Sequence, residues 1–62
     1  MDAARPLPRI GDLVRLDGER RVVTDIRRGT YILRPVRGKY TETSVDDPGT
    51  LTVLARSGTW SP

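Results

Sequence analysis

Sixty-two residues with no Cys and no His make one small domain, and they exclude a disulfide framework and any thiolate or imidazole metal site. A chain this short buries only about 60% of the surface its unfolded form exposes, so a well-paired sheet or self-association must supply its stability. The net charge is +3 and sits unevenly along the chain.

Residues 1–19 carry Arg5, Arg9 and Arg15 against Asp2, Asp12, Asp17 and Glu19, a balance of −1. Residues 20–39 carry Arg20, Arg21, Arg27, Arg28, Arg34, Arg37 and Lys39 against Asp25 alone, a balance of +6. Residues 40–62 carry Arg56 against Glu42, Asp46 and Asp47, a balance of −2. A positive field confined to the middle third is the footprint of a polyanion binder. Surface charge also keeps small domains dispersed, and a preference for Arg over Lys can come from a GC-rich coding sequence. No stretch approaches the ~20 apolar residues of a membrane span. Met1 to Arg9 has no apolar signal core, so the expected location is the cytoplasm.

In chain order, residues 1–9 read as a flexible arm, because Pro6 and Pro8 favour extended backbone and remove two donors. Gly11 opens a strand over Asp12–Leu16. Asp17-Gly18 is the strongest hairpin signal in the chain. The second strand runs Arg20–Ile26, rich in β-branched residues, and Arg27-Arg28-Gly29 turns into a third over Thr30–Arg34, ended by Pro35. Gly38 marks a turn, and Lys39–Val45 makes a polar fourth strand. Asp46-Asp47-Pro48-Gly49 suits a turn with Pro and Gly at its centre, with at most a single 3₁₀ turn near Asp46–Thr50. Thr50–Ala55 is the fifth strand, and residues 57–62 form a tail containing Trp60.

No segment has helical apolar spacing over the 11 or so residues a helix requires. Five short strands with frequent turns predict an all-β domain over residues 10–56, a small barrel or sandwich, with closure hiding the sheet edges. A two-residue Asp17-Gly18 loop sets Val14 opposite Arg21. Burying Arg21 without a partner is costly, so the expectation is a three-residue loop or bulge that pairs Val14 with Val22 and turns Val22, Thr24 and Ile26 inward.

Catalysis finds no equipment here. His and Cys are absent, and Ser44, Ser57 and Ser61 lack an activating partner. Lys39 stands in a turn between Gly38 and Tyr40, where desolvation cannot depress its pKa far. Asp46-Asp47 lacks the spacing of a calcium loop, and no glycine-rich phosphate cradle is present. No cofactor is expected.

Binding finds more. Arg20, Arg21, Arg27, Arg28, Arg34, Arg37 and Lys39, with Tyr40 as a stacking ring, are the candidate nucleic-acid contacts. Tyr31 lies in the same third, but a tyrosine within a strand more often packs across the sheet. The alternative is a protein-interaction module: an adaptor, an inhibitor or a homo-oligomer subunit. Its contacts would be Leu13, Val23 and Leu54, which have the wrong parity for the interior, and Trp60. Trp60 either anchors a partner or folds back to cap the barrel base, which keeps its ring out of water.

The run Ile10-Gly11-Asp12-Leu13-Val14-Arg15-Leu16-Asp17-Gly18, followed by Arg21-Val22-Val23-Thr24-Asp25-Ile26, resembles the opening hairpin of SH3-like small barrels. It is similar to the Gly-Asp-x-Val start of KOW and Tudor-type modules and to the small β-barrel of Mu-type transposases. The likeness covers residues 10–34. Arg20-Arg21 stand where KOW places a further glycine, and the aromatic cage of methyl-lysine-reading Tudor domains is missing. The resemblance implies a five-stranded SH3-like barrel and a bias towards nucleic-acid-associated roles.

Overall fold

The computed structural model describes residues 7–38 and 41–61. The protein is all-β, with five strands: β1 (Leu13–Leu16), β2 (Glu19–Arg27), β3 (Thr30–Pro35), β4 (Thr43–Val45) and β5 (Thr52–Ala55). All neighbours are antiparallel, in the order β4-β3-β2-β1-β5. The one helical element among the described residues is a 3₁₀ turn, Pro48–Thr50. No described helix is long and apolar enough to cross a membrane.

The sheet is open, so the expected closure into a barrel is only loosely met. Edge strands β4 and β5 are not paired to each other. The chain between them makes a turn instead, in which the Asp47 side chain accepts from the Gly49 N–H and Leu51 follows as the cap. Leu51 is buried with Val14, Val23, Tyr31 and Leu33, and Leu16, Ile26, Val45 and Val53 pack around them. Among the described residues the main apolar cluster therefore lies on one face of a single sheet, lidded by Leu51.

The hairpin between β1 and β2 corrects the expected register. Asp17 (φ 52°) and Gly18 (φ 81°) both lie in the left-handed region, as a two-residue type I′ turn demands. The loop thus sets Val14 against Arg21 and Leu16 against Glu19, not Val14 against Val22. Arg21 is tolerated on the core side because its Nη2 reaches the rim and donates to Glu19 Oε1 at 2.7 Å.

A second feature repairs the parity. The β2–β3 register shifts between Val23 and Asp25, leaving Thr24 as the extra residue of a bulge. The Thr24 hydroxyl donates to the Ile32 carbonyl at 3.2 Å. Without the bulge, the parity that buries Val23 would also bury Asp25 and Arg27. With it, Val23 and Ile26 face the core while Asp25 and Arg27 face outward. Val22 and Thr24 are accordingly not core residues, and Val23, placed by sequence parity on the outer face, has no exposed surface.

Between β2 and β3 the turn residue Arg28 sits at φ 48°, a conformation a side-chain-bearing residue adopts at a cost of ~1 kcal/mol. Replacing Arg28 with Asn, which tolerates that region, is expected to raise stability by about 0.5 kcal/mol. A urea midpoint at or below that of the parent chain would count against the turn assignment.

Residues 7–9 and 57–60, expected as parts of the arm and the tail, are tied together with Arg56 to the start of β1. Asp12 has only 1% of its surface exposed. Its Oδ2 accepts from the Arg9 N–H and from Arg56 Nη1, and its Oδ1 accepts from the Ser57 N–H. Arg56 Nη1 also donates to the Leu7 carbonyl, and Trp60 Nε1 donates to the Gly11 carbonyl. Gly11 lies at φ 92°, and a Cβ there would land on the Ser57 side chain, so only glycine lets the tail approach.

Candidate functional site

The backbone register decides where each predicted cation goes. Arg21, Arg27 and Arg34 each have an acidic partner: Glu19 at 2.7 Å, Asp25 at 2.7 Å and Glu42 at 3.7 Å. A hydrogen bond from Arg27, then one from the Ile26 N–H, hold the Asp25 carboxyl below its ordinary value. Asp25 therefore stays ionised beside Arg27 and cancels much of its field. Arg27, Arg34, Asp25 and Glu42 line one groove with Thr24 and Ile32, a surface of mixed sign.

Arg20, Arg28 and Arg37 are exposed and form no ion pair with a described residue. They do not share one place. Arg20 opens β2 and Arg28 lies just beyond its other end, a separation of roughly 26 Å along an extended strand. Arg37 instead lies near Arg20, since both line a shallow depression with Glu19, Pro35 and Val36. Lys39 and Tyr40 lie outside the described residues.

Arg15, which sequence reasoning does not single out, joins this group. It is exposed and sits directly opposite Arg20 in the β1–β2 ladder. A two-residue hairpin loop fixes that pairing, so trusting the Asp17-Gly18 signal would have placed Arg15 beside Arg20 from sequence alone. Like charges directly opposite in a sheet repel and destabilise it. The described cations from Arg15 to Arg37 thus resolve into a cluster at the hairpin end (Arg15, Arg20 and Arg37), Arg28 at the far end, and three residues with acidic partners.

The residues of the alternative interface also separate. Leu13 is 9% exposed and Val23 is wholly buried in the core, so neither offers a contact surface. Leu54 is exposed because the β1–β5 register shifts between Leu13 and Val14, leaving Leu54 between the residues that pair with them. Trp60 is half-buried, its indole N–H turned back to Gly11. Tyr31 is a core residue. Leu7 and Ile10 are exposed apolar residues that periodicity does not flag.

Among the described residues no group of His, Cys, Asp or Glu could hold a metal ion. No family model matches this chain, and no curated protein or solved structure is similar to it at a meaningful level.

Proposed function

We propose that this chain is a non-enzymatic binding module that grips the phosphodiester backbone of nucleic acid with little sequence preference. Arg15, Arg20 and Arg37 carry the contact at the β1–β2 hairpin end. The supporting observation is the directly opposed Arg15–Arg20 pair, flanked by Arg37, none of the three in an ion pair with a described residue. A phosphate placed among these groups would turn a repulsion into charge-assisted hydrogen bonds. Kinship with SH3-like small barrels, resting on residues 10–34, belongs to the same proposal and gives it the same direction.

The test is fluorescence anisotropy with a short labelled duplex across a range of salt. The logarithm of the binding constant is expected to fall with the logarithm of salt, with a slope of about −0.9 per phosphate neutralised. Replacing Arg15, Arg20 and Arg37 by alanine is expected to reduce the slope by about one unit for each phosphate no longer neutralised. Arg28→Ala should leave it nearly unchanged. No binding at low salt, or an equal loss with Arg28→Ala, would overturn the proposal. Equal binding of a poly-glutamate peptide would redirect it to an acidic protein partner.

A second reading, self-association or a protein partner, draws on the exposure of Leu7 (60%), Ile10 (55%) and Leu54 (39%). A solution mass well above 6.9 kDa that falls when these residues become serine would favour it.

A further inference from the structure

We infer that Glu19 is a built-in competitor for the phosphate site, holding by its own carboxylate the place that a nucleic-acid phosphate takes on binding. The inference rests on the nucleic-acid reading above and concerns how that site is regulated. Glu19 is the one acid among the residues lining the depression, where it sits with Arg20 and Arg37. Its Oε1 lies 2.7 Å from Arg21 Nη2. An anion that belongs to the protein thus already occupies Arg21 and lines the same depression as Arg20 and Arg37.

The two partners of that ion pair are held very differently. The Glu19 side chain is 70% exposed, whereas that of Arg21 is only 16% exposed. Arg21 stands on the core side of β2, between Val14 of β1 and Pro35 of β3 in the ladder. Its stem is packed and its guanidinium pre-placed, so it gives up little freedom on binding. The Arg21 Nε is buried and makes no hydrogen bond, so Glu19 leaves this guanidinium only partly satisfied.

A pair two residues apart on one strand, with its acid mostly in water, contributes little to stability. Glu19 can therefore swing into water at small cost when a phosphate arrives. The incoming phosphate takes the place of the Glu19 carboxylate at the depression lined by Arg20 and Arg37, and Arg21 Nη2 loses its Glu19 partner. A lone weak anion gains too little to displace Glu19, while a backbone that also engages Arg15 gains enough. The carboxylate acts as a threshold that favours polyanions over small anions.

The experiment compares duplex affinity for Glu19→Gln with that for Asp46→Asn, which removes the same charge at a Thr30 contact on another part of the surface. Glu19→Gln is expected to bind about threefold to tenfold more tightly at low salt, and Asp46→Asn less than about twofold. Equal effects, or no gain with Glu19→Gln, would overturn the inference while leaving the nucleic-acid reading in place. Absence of duplex binding by the parent chain would overturn that reading instead.

A second measurement uses the unaltered protein. The Arg21 side-chain Nε–H resonance is followed by NMR during titration with the duplex and, separately, with inorganic phosphate. A shift with duplex that needs far higher concentrations of inorganic phosphate supports the competitor role. An Arg21 signal unmoved by bound duplex refutes it, even if Glu19→Gln proves too unstable to assay.

Discussion

Asp12→Ala is expected to lower the folding free energy by about 3 kcal/mol, because it strips the partner from one charge and two backbone donors at once. The Arg9 and Ser57 N–H groups and Arg56 Nη1 all converge on this carboxylate. Arg56 can recover some solvation, since its side chain is 37% exposed, and this keeps the loss below that of a wholly buried pair. A 62-residue domain has only about 3–9 kcal/mol in total, so the variant should be close to half-unfolded at the lower limit. Urea denaturation measures this directly, and a loss under about 1 kcal/mol would show the contacts to be incidental.

The same site sets an acid limit. Burial alone raises the Asp12 pKa, but the Arg9 and Ser57 N–H groups and then Arg56 outweigh it, leaving the carboxyl below its ordinary value of 3.8. The unfolded chain then takes up the proton more readily than the folded one. Stability from Asp12 is complete above the ordinary carboxylate pKa and drains away as pH falls through the lowered one. The urea midpoint of the parent chain should drop on acidification more steeply than that of Asp12→Ala. Parallel profiles would assign the acid sensitivity elsewhere.

Leu33→Ala is expected to cost a comparable amount, about 3 kcal/mol. Leu33 is the largest wholly buried side chain, lying between Val23 of β2 and Thr43 of β4 in the ladder. With the main cluster made from one sheet face and Leu51, there is no second layer among the described residues to settle into the hole. Leu54→Ala, at an exposed bulge, should change stability by less than about 0.5 kcal/mol. Thermal unfolding of the two variants side by side checks the contrast, and similar losses would mean that the core is not where this packing puts it.

Strand positions are legible in the sequence because turn chemistry is local, except that β4 is Thr43–Val45, shorter than the expected Lys39–Val45. Asp17-Gly18, Arg28-Gly29 and Asp47-Pro48-Gly49 each need a particular backbone, and each marks its turn where the sequence puts it. Facing is harder, because one inserted residue reverses it. The pattern Val22, Thr24, Ile26 looks like an inward face. Thr24 is nonetheless the bulge, and Val23 is the buried residue.

The site is legible only in outline. Composition locates the positive third of the chain, but charge becomes a surface only after registration. Arg21 and Arg27 find acids two residues away on their own strand, whereas Arg34 finds Glu42 across from β3 to the segment leading into β4, which no local pattern reveals. Arg15 escapes notice because it sits in a segment of net negative charge, while its neighbour in space is Arg20. Asp12 looks in the sequence like the mere start of a strand, and its partner Arg56 lies 44 residues away.

The meeting of residues 7–9 with 56–60 also settles how the domain answers a pull. β1 and β5 are adjacent and antiparallel, so tension applied through Leu7 and Ser61 arrives at the same end of their ladder and peels it bond by bond rather than shearing it. That geometry makes for a mechanically soft sheet. The Trp60–Gly11, Arg56–Leu7 and Arg56–Asp12 contacts stand ahead of the first rung, so they take the load before it, and when they yield the strands behind them follow in sequence.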